Sequence, residues 1–232
     1  MAQKPANAPR VSPDHAAAAL IAVAAVVLTV FYYYARVDTV GVMSSRGWSS
    51  MTGTPRSVAT HAALAVLLLA VIPVAAARLV LRCRLADLGL GLGDWRRGVT
   101  LLAAGLPLAV LAGWIGSRSP LMQAVYPLAT SAPGAGFVPY ALLLFLYFGA
   151  WEILFRGVLL FGLRHSTGEW TANASQTGLS MTAHFGRAIN ETAIAFPAGL
   201  LFGWIDLRVG SLWYLAIVHW CVGVSMEWFI GW

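Results

Sequence analysis

From Ala16 to Tyr34 the chain runs without a single charged residue, and apolar blocks of similar length recur to its end. About twenty such residues, at roughly 1.5 Å each along a helix, cross the hydrocarbon core of a bilayer. One water-soluble core cannot hide so many blocks. Of 232 residues, 59% are hydrophobic and 10% charged, whereas soluble domains carry roughly 25% charge. The pattern predicts an all-α, polytopic helical bundle with about seven membrane-embedded helices, the range being about six to eight. It excludes a disordered chain, a disulfide-stapled secreted module and a soluble enzyme.

Apolar stretches predict helices over 15–35, 58–82, 98–116, 138–165, 178–189, 192–206 and 211–230. A polar head, 1–14, precedes them. The segment 36–57, rich in Ser, Gly and Thr and carrying Trp48, reads as a surface loop. The segment 83–97 reads as an interfacial turn or short helix, and 117–137, with Pro120, Pro127 and Pro133, as a non-membrane or re-entrant piece. The polar run 166–177 reads as a loop, and Asp206 to Gly210 as a solvated turn.

Arg78, Arg82, Arg84, Arg96 and Arg97 cluster in one segment against Asp87 and Asp94. Basic loops stay on the cytoplasmic side, so this cluster and the N-terminus are expected there. No basic face suited to nucleic acid is apparent. Cys83 and Cys221 lie far apart and indicate neither a disulfide framework nor a metal cluster.

Ionisable groups inside apolar helices are costly and tend to have a partner or a task. Glu152 and Arg156, four apart, share one helix face. His184 lies in the short fifth helix and His219 in the middle of the last. Together they describe either a polar cavity between helices or a self-neutralising ion pair with two packing histidines. Glu227, eight residues after His219 with Gly223 between, is either an auxiliary carboxylate on the same face or an interfacial end marker beside Trp228. Asn190 and Glu191 read as helix-start residues. No His-Glu-x-x-His motif supports zinc, and no cofactor is expected.

These residues resemble the CAAX-protease and bacteriocin-processing family, which includes the ras-converting CAAX endopeptidase and other glutamic-type intramembrane proteases. The Glu-Glu-x-x-x-Arg motif corresponds to Trp151-Glu152-Ile153-Leu154-Phe155-Arg156, and Phe-x-x-x-His to Ser180 through His184. His-x-x-x-Asn corresponds to His219 through Gly223, after Gly210-Ser211-Leu212-Trp213. The resemblance spans 138–230. It implies a boundary between N-terminal transmembrane helices, 15–137, and a CAAX-protease-like core, 138–232. It also implies a bacterial cytoplasmic membrane and a membrane-embedded or lipidated peptide substrate, with lipids and another membrane protein as further partners.

The departures fall at the chemistry. The resemblance implies that the first Glu activates water with the first His, that the second Glu and the Arg support it, and that the second His and the Asn stabilise the oxyanion. Here Trp151 occupies the water-activating position, Ser180 the Phe position and Gly223 the Asn position. An indole donates a hydrogen bond but takes no proton, and a lost oxyanion donor costs about 10²–10³ in rate. Glu152 is one residue on, about 100° around the helix, and only a local bulge would re-aim it. The expectation is a non-catalytic or impaired relative that binds a hydrophobic or lipidated membrane peptide or partners a protein-processing system. The alternative is an active endopeptidase with a rearranged site that uses Glu152 or Glu227 with His184.

Overall fold

The computed structural model describes residues 12–35, 55–128 and 136–232. Residues 1–11, most of the 36–57 loop with Trp48, and Pro133 lie outside the described residues. All regular structure in the described part is helical. Among the described residues, six helices are long and apolar enough to cross a membrane: α1 (Pro13–Ala35), α2 (Val58–Leu81), α3 (Trp95–Ser117), α4 (Phe137–Thr167), α6 (Ile189–Val209) and α7 (Trp213–Gly231). A shorter helix, α5 (Glu169–Thr182), completes the bundle.

The helix ends follow local chemistry. Asp94 caps α3, its carboxylate accepting from the Arg97 N–H at 3.2 Å. Gly210, at φ +74°, ends α6 with a left-handed cap whose N–H donates to the Asp206 carbonyl. The 83–97 segment forms a 3₁₀ turn, Leu85–Leu88, then leads into α3. Between α3 and α4 lies a one-turn helix, Pro120–Gln123.

In lipid the association of helices depends on close packing and on polar contacts rather than on escape from water. Helices α3 and α7 run parallel and touch along a row of small residues. Gly98 meets the Tyr214 ring, Gly105 meets Val218, and Gly113 meets Ser225. A Cβ at any of the three would overlap its neighbour.

The fifth helix corrects the sequence expectation. It occupies 169–182, not 178–189, and the stretch read as a polar loop is most of it. Asn173, Gln176, Thr177 and Ser180 are all buried and recur at helical spacing. Asn173 Nδ2 donates to the Leu200 carbonyl at 2.9 Å, and Gln176 Nε2 donates to Asn173 Oδ1 at 2.9 Å. Their polarity serves contact with the backbone of α6, so an apolarity criterion misses the helix. Asp206 is a second correction. It is not a solvated turn residue but lies within α6, 1% exposed.

Candidate functional site

Helix α4 changes character at its midpoint. After Glu152 the backbone widens into a nine-residue π-helical stretch, Ile153–Phe161. It closes with the Gly162 N–H donating to the Gly157 carbonyl five residues back at 3.1 Å. Such widened turns recur at functional sites. The bulge begins after both Trp151 and Glu152 and does not bring the Glu152 carboxylate to the side that Trp151 faces.

Glu152 faces α7. Its Oε2 lies 3.1 Å from Arg156 Nε, and both side chains are buried. Its Oε1 lies 2.6 Å from His219 Nδ1. A carboxylate only accepts, so this Nδ1 carries the proton and donates. The four-apart spacing read from sequence is a real ion pair, extended across the bundle by His219.

The neighbouring residue faces elsewhere. The Trp151 indole meets the His184 ring edge-on, with centroids 5.2 Å apart at 80°, and also packs on Phe155 and Tyr147. Its buried Nε1 makes no hydrogen bond. His184 follows the end of α5, and its Nδ1 donates to the Ser180 carbonyl at 2.7 Å. That bond leaves Nε2 as the basic nitrogen of the neutral ring. Burial lowers the His184 pKa from its ordinary value, against the opposing effect of the Ser180 hydrogen bond. The ring is therefore neutral near pH 7.

A cavity of about 30 Å³ is lined by Trp151, His184, His219, Gly223, Glu191 and Glu227, among others. It has room for about one water. Glu227 is no interfacial marker: it is 1% exposed, accepts from Tyr140 Oη at 2.7 Å and from the Leu128 N–H at 3.1 Å. Glu191 accepts from Tyr126 Oη at 3.0 Å, while its Oε2 is buried without a hydrogen bond. Arg187 Nη1 also donates to Tyr126 Oη, at 3.1 Å.

Two contributors escaped the sequence reading. Glu191 was expected to start a helix, and it does, but it also lines the cavity. Phe148 was not singled out, yet its ring stands edge-on to His219, 4.8 Å away. It fills the space beside Gly223, where a Cβ would run into it. Among the described residues, no group of three His, Cys, Asp or Glu is placed to hold a metal ion.

Trp151 also borders a larger space. A cleft of about 400 Å³ lies between the end of α1, the start of α2, α4 and the α5–α6 connection. Phe31, Tyr32, His61, Tyr147, Trp151 and Phe185 form much of its wall. Tyr147, Trp151, Leu128, Ala183 and Arg187 line both spaces. The indole thus stands between an aromatic cleft and the histidine cavity.

An Rce1-like domain, of the family described as type II CAAX prenyl endopeptidase Rce1-like, is detected over residues 134–225. The match covers α4 to most of α7 and contains all four of Glu152, Arg156, His184 and His219. No curated protein and no solved structure matches the chain.

Proposed function

We propose that this integral membrane protein is a non-catalytic or impaired relative of the CAAX-type intramembrane endopeptidases. Its task is to hold a hydrophobic or lipidated membrane peptide in the cleft beside Trp151, or to serve a membrane protein-processing partner. The carrying observation is the edge-on packing of Trp151 on His184. Water activation needs a base beside the water and the histidine. At this position stands an indole, while Glu152 is turned away to Arg156 and His219.

Purified protein in liposomes, offered prenylated and non-prenylated membrane peptides, tests the reading. The expected result is peptide retention without cleavage. Reproducible cleavage abolished by Glu152→Gln or His184→Ala overturns it.

A second reading is hydrolysis with a rearranged site, and Glu191 favours it. This carboxylate lines the cavity with His184 and has an oxygen without a hydrogen bond. Under that reading, cleavage would be lost in Glu191→Gln and kept in Glu227→Gln, whose carboxylate is held by Tyr140 and Leu128.

A further inference from the structure

The two ends of the bundle differ in charge, and the aromatic cleft lies toward one of them. Among the described residues, every Arg except Arg156 lies between helices or in a terminal turn of one. At one end gather Arg78, Arg82 and Arg84 after α2, Arg96 and Arg97 at the start of α3, Arg164 on α4 and Arg208 on α6. These segments are stitched together there. The Asp94 N–H donates to the Val209 carbonyl at 2.7 Å, the Leu212 N–H to Gly89 at 3.0 Å, and Tyr214 Oη to Leu92 at 2.9 Å. Helix α1 also starts at this end, and Lys4 and Arg10 precede it.

The opposite end joins the end of α1, the start of α2, the end of α3 and the α5–α6 connection. His61 Nδ1 meets the Ala35 carbonyl at 2.7 Å, and Tyr32 Oη donates to the Phe185 carbonyl at 2.6 Å. Among the described residues, Arg118 and Arg187 lie on this side; Arg36, Arg46 and Arg56 fall between α1 and α2 in the sequence. Arg187 is engaged with Tyr126 in the cavity wall. The aromatic cleft lies among these same elements, at the end with fewer of the described Arg.

We propose that the cleft and the histidine cavity open to the non-cytoplasmic side of the membrane. Lys and Arg in short loops are retained in the cytoplasm, so the arginine-rich end is cytoplasmic and the mouth faces away from it. This rests on the reading that the cleft receives a hydrophobic peptide, and it narrows that ligand. The occupant is a polypeptide segment anchored in or presented to the outer leaflet. A prenylated C-terminus displayed in the cytoplasm lies on the wrong side to reach Trp151.

Sidedness is read by cysteine labelling, with no ligand present, so it stands or falls separately from peptide binding. In a Cys83→Ser, Cys221→Ala background, single cysteines replace Phe185 on the cleft wall and Asn190 at the same end of the bundle (together the mouth variants), or Leu85 and Leu92 at the arginine-rich end. All four positions are exposed. Intact spheroplasts are treated with a membrane-impermeant maleimide, and each site's labelling is normalised to that in detergent-denatured protein. Expected is labelling of Phe185→Cys and Asn190→Cys before permeabilisation, with Leu85→Cys and Leu92→Cys labelled at least tenfold less until the membrane is opened. Labelling of the Leu85 and Leu92 variants in intact cells, or silence of both mouth variants until permeabilisation, overturns the proposal.

Discussion

The Trp151 indole stands edge-on against the His184 imidazole, ring centroids 5.2 Å apart, and separates the 400 Å³ cleft from the small polar cavity. Truncation of a buried Trp to Ala costs about 3–5 kcal/mol, and here it also joins two spaces. Trp151→Ala is therefore expected to lower the denaturation midpoint and to make His184 several-fold more reactive toward diethyl pyrocarbonate. Mass spectrometry of the modified peptide reads the second effect. A His184 that stays as protected as in the parent protein means the indole is no partition.

The Glu152–Arg156 pair predicts an asymmetric double-mutant cycle. Removing one partner of a buried pair strands the other charge, at about 3–5 kcal/mol, whereas replacing both with apolar groups of similar volume is often neutral. Glu152→Gln and Arg156→Met should each destabilise strongly, and the double variant by less than the sum. His219 also donates to Glu152, so full rescue is not expected until His219→Phe is added. Reversible unfolding in mixed micelles measures all the variants. Additive single effects would refute the coupling.

The bundle and most helix limits were legible because lipid exposure demands long apolar runs, and six helices bear them. Glu152, Arg156 and His219 stood out because a charge or imidazole among such residues is conspicuous. Reading failed where polarity serves the protein interior. The apolarity rule passed over α5, whose Asn173 and Gln176 bond to α6 and to each other. Asp206 resembled a turn residue because Arg208 and Gly210 follow it, yet the chain stays helical to Val209 and buries it. The π-helical stretch has no composition signal: Ile153 to Phe161 is ordinary apolar helix sequence apart from Arg156.

His184 predicts an acid-side loss of stability. Burial lowers its pKa in the folded protein, so below about pH 6.5, the ordinary histidine value, the unfolded chain binds more protons than the folded one. Its stabilising contribution is complete above that pH and declines as pH falls toward the folded-state pKa. Thermal midpoints recorded from pH 7.5 to 5.0 should drop in the parent protein and drop less in His184→Asn. Parallel curves for the two proteins would assign the titration to another group.

The absence of an Asn at 223 is coupled to Phe148. A Cβ at Gly223 collides with the Phe148 ring, and that ring also packs edge-on against His219 at 4.8 Å. Gly223→Asn alone should be destabilised, with disturbance spreading to His219 and thus to Glu152. Phe148→Ala should leave a cavity of its own, and the pair together should cost less than the sum, with a coupling of about 0.5–3 kcal/mol. Under the proposed function, the same logic governs any attempt to install hydrolysis. Trp151→Glu supplies a carboxylate beside His184, but an Asn side chain at 223 fits only once Phe148 is reduced. Cleavage of a membrane peptide is therefore expected from Trp151→Glu, Phe148→Ala and Gly223→Asn combined, and from neither Trp151→Glu alone nor Trp151→Glu with Gly223→Asn. Cleavage by the double variant at the rate of the triple would show that Phe148 does not block position 223.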